Sequence, residues 1–235
     1  KDGHLARAIE TLGTRGLQVA WCHYLGDDPE LIVATFRRTF GSGDVVFSFG
    51  GIGATPDDHT RAAAARAAGV ALKLHPDAEA EIRARFVNDP KGVTPQRLMM
   101  GEFPEGAEII PNPYNRIPGF SFMRHHFLPG FPQMAWPMLE WVLDTHYRDA
   151  FAPGSVAESS IIVREAGESQ LIELMNLCQR RYPLIKVFSL PRLEPDRHIE
   201  LGVRGEPGEV QGAIAALKNG VSALGFPWRE NRNVE

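Results

Sequence analysis

Cysteine is nearly absent from this chain. Cys22 and Cys178 stand far apart and form no metal-spaced pair. That excludes a disulfide-stapled scaffold and a cysteine-based metal site, and it fits a reducing cytosol. No apolar run approaches the ~20 residues that a membrane-spanning helix needs, and no signal peptide is read at the start. Charge of one sign is also lacking. The net charge of −4 gives no footing for nucleic acid or an anionic membrane. There is no internal repeat and no low-complexity tract. What remains is an ordinary globular composition, 43% hydrophobic and 23% charged over 235 residues. This is enough for one large domain or two smaller ones in a cytoplasmic protein.

The most informative stretch runs from Asp44 to Thr60. It reads as a buried strand to Phe49, a glycine-rich turn (Gly50, Gly51, Gly53) and a helix opening at Pro56-Asp57-Asp58. Such a turn at the end of a parallel strand brings backbone N–H groups close to an anion, and the helix N-terminus adds a favourable dipole. Carboxylates beside it suit a divalent cation bridging phosphate oxygens.

Around this stretch the pattern is helix, strand, helix, strand, helix. Leu5, Ala8, Ile9 and Leu12 mark the first helix, and Gln18 to Leu25 the first strand. Asp28 and Pro29 open the second helix, with Ile32, Phe36 and Phe40 on one face. The second strand, with the alanine-rich helix 57–68 after it, completes the signature of a doubly wound α/β fold with a mostly parallel sheet. A helix over 76–87, an irregular region 88–104, short strands at 108–110, 120–123 and 126–128, and a helix over 134–145 follow. After a linker at 152–155 the order becomes strand 159–164, helix 168–181, strands 184–190 and 197–203, and helix 208–224. That β-α-β-β-α order predicts a small α+β domain of ferredoxin-like kind. The domains are therefore read as 1–150 and 151–228, with 229–235 a frayed polar tail.

Each candidate residue also has a plain structural reading. Asp28 fits a helix N-cap. Asp57 and Asp58 suit a first helical turn as well as a cation. Asn112 sits in a proline-rich turn that its own side chain can close. His125 and His126 alternate along a strand, so their rings point to opposite faces and do not readily share one ion. Cys22 reads as core on its strand. Gly202-Val203-Arg204-Gly205 matches a G-x-x-G loop but lacks a basic or aromatic platform, and reads as a turn.

Four stretches point to a family: Leu25-Gly26-Asp27-Asp28-Pro29-Glu30, Phe49 through Thr60, Ile110-Pro111-Asn112-Pro113 with Pro118-Gly119-Phe120, and Leu128-Pro129-Gly130-Phe131-Pro132. In order and spacing they resemble the molybdopterin-binding (MoCF biosynthesis) domain in the version found in the competence/damage-inducible protein A (CinA) family. Residues 1 to about 146 carry the resemblance, and the remainder is similar to the small domain that follows in that family. The family opens with a strand and a Gly-Asp-Glu segment ahead of its first helix, whereas this sequence starts at that helix. It usually has Thr and Pro where Phe49 and Ala54 stand, and a Glu near Gln133-Met134. These departures bear on catalysis more than on fold.

The resemblance implies Asp27 and Asp58 as catalytic carboxylates holding Mg²⁺ against a diphosphate. It also implies a cradle from Gly50, Gly51, Gly53, Thr55, Asp57, Thr60, Asn112, Pro129 and Gly130. The implied ligand is molybdopterin or an adenine-nucleotide diphosphate, and the implied chemistry is adenylyl transfer or pyrophosphatase cleavage of the ADP-ribose type. The alternative is a binding or accessory protein without turnover. The expected assembly is a homo-oligomer, dimer or trimer, with no nucleic-acid or membrane partner.

Overall fold

The computed structural model describes residues 2–193 and 195–231. The chain divides into two compact units, Lys1–Leu12 with Gln18–Phe151, and Gly13–Leu17 with Ala152–Glu235. Among the described residues no helix is long and apolar enough to cross a membrane.

The first unit runs α1 (His4–Gly13), α2 (Pro29–Phe40), β1 (Val46–Phe49), α3 (Thr60–Ala68), β2 (Leu72–Leu74), α4 (Pro76–Arg85), α5 (Pro95–Met99), β3 (Glu102–Pro104), β4 (Glu108–Ile110), β5 (Gly119–Phe122), β6 (His125–Leu128) and α6 (Pro132–His146). Local chemistry sets several of these starts. Asp28 caps α2, accepting from the N–H groups of Glu30 at 2.9 Å and Leu31 at 3.3 Å, with Pro29 in the first turn. Thr94 caps α5 by accepting from Arg97 N–H. The region 88–104, read as irregular, holds both α5 and β3, and β3 pairs with β2. These elements are three to five residues long, too short for a periodic pattern to show.

The class is α/β, and the main sheet is mixed. Its order is β1-β6-β5-β4. β1 and β6 are parallel, while β6–β5 and β5–β4 are antiparallel, so one pairing of three is parallel and not most of them. The segment Gln18–Leu25, expected as a strand, joins no ladder among the described residues. Its short apolar run, Val19 to Cys22, is strand-like, but a strand needs a neighbour for its N–H and C=O groups. Instead it is tethered by side chains, Trp21 Nε1 to Asp44 and Tyr24 OH to Asp2. Cys22 is consequently exposed and not in a core.

Aromatic rings fill the centre of this unit. Phe120 stacks on Phe103 at 4.6 Å and on Phe127 at 4.3 Å, and Phe36 meets Phe127 edge-on at 5.4 Å. Ala63 and Ala64 of α3 are fully buried in the same core, small enough to bring the helix close.

The two histidines of β6 face opposite ways, as the alternation predicts. His125 packs against Phe36 and Phe40 and bonds Thr39 Oγ1 at 2.8 Å. His126 lies between Ser121 Oγ at 2.8 Å and Tyr147 OH at 2.7 Å. Burial pushes His126 down to about 3 and lowers His125 in the same direction. The folded state therefore refuses protons that the unfolded chain takes up below its ordinary histidine value near 6.5. Stability from this source is complete above that pH and is lost as pH falls below it, for His126 down to about 3 at up to about 1.4 kcal/mol per pH unit. Acid unfolding followed by circular dichroism checks this. The slope of stability against pH below 6.5 is expected to flatten in His126→Gln; an unchanged slope overturns the assignment.

The second unit runs β7 (Ala157–Val163), α7 (Glu168–Arg181), β8 (Ile185–Arg192), β9 (His198–Gly205), α8 (Pro207–Ala223) and β10 (Trp228–Glu230). The order β10-β7-β9-β8 is antiparallel throughout, and both helices pack on its core. This is the ferredoxin-like arrangement, completed by β10, where a frayed tail was expected from Arg229. Residues 232–235 of that tail lie outside the described residues. The G-x-x-G segment is strand in β9 and not a turn. Gly202 is required there by packing, since a Cβ would lie 2.2 Å from the Phe188 ring.

Candidate functional site

The parallel pair β1–β6 ends at Phe49 and Leu128, and the loops leaving those ends meet. Gly50 N–H donates to Leu128 O at 2.8 Å. A Cβ built on Gly130 would touch Gly50 Cα at 3.5 Å, so the two backbones face each other directly. Carboxyl ends of parallel strands are where open α/β sheets place ligands. The N-terminal helix closes one side. His4 stacks on Phe49 at 4.5 Å, and its Nε2 donates to Gly130 O at 3.0 Å. A carbonyl can only accept, so the neutral ring carries its hydrogen on Nε2.

The glycine turn itself is held from below. Gly50 and Gly51 have φ of 89° and 70°, a left-handed conformation that favours glycine. Thr60 clamps them, its N–H donating to Gly51 O at 3.0 Å and its hydroxyl to Gly50 O at 3.1 Å. Asp58 folds back over Gly53, where any Cβ would meet its Oδ2 at 2.6 Å. Its Oδ2 accepts from both the backbone N–H and the hydroxyl of Thr55. This closes a turn of its own, and α3 therefore begins at Thr60 and not at Asp57.

Between the bonded N–H groups of Gly50 and Thr55 lie those of Gly51, Ile52, Gly53 and Ala54. None of the four has an acceptor among the described residues. Consecutive donors of this kind form a concave nest for an anion.

Beneath the turn sits Arg61, which is 5% exposed. Its guanidinium donates to four backbone carbonyls: Ile52 O at 3.1 Å, Gly53 O at 2.6 Å, Glu102 O at 3.3 Å, and Met99 O. No carboxylate bonds to it, and Glu102 and Asp58 act on it only through space. Burial lowers its pKa, and a guanidinium remains charged at neutral pH regardless. The sequence reading passed over Arg61. The signal was a cation in the first turn of a helix, the wrong end for the dipole.

The predicted residues thus separate. Gly50, Gly51, Gly53, Thr55, Asp58, Thr60 and Gly130 come together, with Asp57 exposed at the rim and Pro129 between Leu128 and Gly130. Thr55 and Thr60 spend their hydroxyl hydrogens inside the turn, so they shape it instead of donating to a ligand. Asn112 is buried and closes its own turn, donating to Asn115 Oδ1 and Ile117 O and accepting from Tyr114 N–H. Asp27 is exposed, and no hydrogen bond or ion pair ties it to Asp58 or to another described residue. Asp58 Oδ1 accepts no hydrogen bond and is the oxygen left for a cation. Among the described residues no three His, Cys, Asp or Glu side chains cluster around a metal position. Mg²⁺ does not require three, because one or two carboxylates and substrate phosphates suffice.

An open cavity of about 280 Å³ lies at the other end of β6, lined by Glu108, Ser121, Arg124, His126, His146 and Tyr147 among others. Of its two histidines, His126 is neutral and bonded on both nitrogens, which leaves that ring no free atom for a ligand.

Residues 1–148 match the family described as "Probable molybdopterin binding domain", MoCF_biosynth. The chain belongs to the MoCF molybdopterin-binding domain family. A CinA-like protein of Desulfosudis oleivorans is 35% identical over 143 residues, 59% of this chain and 35% of that protein. A protein of Caldivirga maquilingensis is 31% identical over 222 residues, covering 90% of this chain and 84% of that one. The crystal structure of "the protein CinA with unknown function" from Thermoplasma acidophilum superposes with a TM-score of 0.54 at 31% identity, covering 61% of this chain and 87% of that one.

Proposed function

We propose that this chain binds a small molecule carrying a diphosphate, of molybdopterin or adenine-nucleotide type, on the Gly51–Ala54 turn. There it breaks or forms a phosphoanhydride bond in the presence of Mg²⁺. The observation that carries the reading is the run of four successive backbone N–H groups without acceptors at the carboxyl end of β1. Gly130 lies against Gly50, so no side chain stands between the two loops beside the turn. Asp58, through its free Oδ1, and Asp27 are the carboxylates that would hold the ion. An Mg²⁺ ion held by them would neutralise charge on the phosphate oxygens. The protein's own part is to cradle phosphate, orient the anhydride and keep Asp58 in place through Thr55. The same reading makes the protein cytoplasmic and a dimer or trimer.

A second reading is a binding protein without turnover. It draws on Asp58 itself, one of whose oxygens is committed to Thr55. Release of AMP from ADP-ribose and FAD, with and without Mg²⁺, separates the two. Metal-dependent release that falls about 10- to 100-fold or more in Asp58→Asn supports the enzyme. Ligand-induced thermal stabilisation without product supports the binding protein. Turnover unchanged by Asp58→Asn removes Asp58 from the mechanism.

A further inference from the structure

We infer that Arg61 is the positioning residue that makes the glycine turn an anion site, by aiming the turn's N–H groups outward and by placing beneath them a buried positive charge to which no carboxylate is bonded. This rests on the phosphate-binding reading of the turn and names what selects that ligand class.

The geometry is direct. Arg61 draws the carbonyls of Ile52 and Gly53 inward. A peptide unit is planar and trans, so its N–H points opposite to its C=O. The peptide N–H groups of Gly53 and Ala54 must therefore face away from Arg61. These are two of the four donors without acceptors. The same guanidinium ties the turn to the loop between α5 and β3 through Met99 O and Glu102 O. A turn with glycines at 50, 51 and 53 would otherwise sample many conformations. Arg61 selects one of them, using a planar fork that lysine lacks.

The charge of Arg61 acts in addition to its geometry. Arg61 is buried with carbonyls and without a bonded carboxylate. Carbonyls solvate a cation but do not cancel its charge. That charge, offset in part through space by Glu102 and Asp58, acts on a ligand held at the solvent side of the turn, where salt screens the interaction. It adds to the positive end of α3, which begins one residue earlier. A neutral ligand gains nothing from this field. An anionic, phosphate-class ligand gains from both the field and the aimed N–H groups.

The test uses the whole chain and inorganic pyrophosphate, followed by isothermal titration at several salt concentrations. Wild-type protein is expected to bind pyrophosphate with a salt-dependent Kd and to ignore adenosine. Arg61→Gln removes the charge and most of the donors. It is expected to weaken pyrophosphate binding about 10- to 100-fold and to flatten the salt dependence. Arg61→Lys keeps the charge and loses the fork, so affinity falls less and the salt dependence stays. A merely structural role would lower melting temperature in both variants and leave the salt slope alike, which would overturn the inference. If Arg61→Gln does not fold, Arg61→Lys and the pyrophosphate-against-adenosine comparison on wild type still decide it. Equal binding of the neutral ligand sinks the charge argument. Failure of wild type to bind pyrophosphate, ADP-ribose or a pterin sinks the phosphate-site reading itself, a result distinct from any effect of Arg61.

Discussion

Phe120→Ala is expected to cost about 3–5 kcal/mol of stability. Phe120 is fully buried and sandwiched between Phe103 and Phe127, with Phe36 edge-on beyond. The ring sits on β5, next to β6, and its loss leaves a cavity that rigid strands on both sides cannot close. Because β6 ends at the Pro129–Gly130 turn, the loss also loosens one wall of the site. Urea unfolding measures the effect. Phe131→Ala is the control, because that ring is 64% exposed and its removal is expected to change stability by less than about 0.5 kcal/mol. A cost below about 1 kcal/mol at Phe120 would mean that the aromatic stack is not what holds the first unit together.

Gly51→Ala is expected to abolish ligand binding while leaving the fold recognisable. Two effects combine at this residue. Its φ of 70° costs an alanine about 1–2 kcal/mol, and the new Cβ would lie 2.2 Å from Thr60 Oγ1. The turn must shift, and Thr60 must release Gly50 O or Gly51 O. A displacement of ~1 Å at donors of this kind is worth about 100-fold in binding or rate. Gly69→Ala separates strain from collision. Gly69 has the same left-handed conformation, φ 71°, but nothing lies within 4 Å of its Cβ. It should lose stability through backbone strain alone and keep its affinity for pyrophosphate. Equal affinity in Gly51→Ala and wild type would place the ligand elsewhere.

Much of the site could be read along the chain because it is local. The glycines at 50, 51 and 53, the carboxylates at 57 and 58 and the cap at Asp28 act over a few residues, and their backbone chemistry is written in residue type. The helices α2, α7 and α8 show their buried faces as periodic patterns for the same reason. Other features depended on partners far along the chain. The strand pattern of Gln18–Leu25 promised a ladder, but a ladder is a property of two segments. Asn112 and Thr60 looked like ligand donors, yet which group receives a side-chain hydrogen is settled by what lies within 3 Å of it.

The sequence by itself determined the α/β and ferredoxin-like element order, the family and the glycine turn, all carried by local periodicity, backbone freedom and motif spacing. Tertiary structure alone decided two things: that the Gly50 and Gly130 backbones face each other, and that Arg61 lies beneath the turn bonded to four carbonyls. Burial is the physical reason. A hydrogen bond or a charge takes its strength from the neighbours that exclude water around it, and those neighbours come from distant parts of the chain.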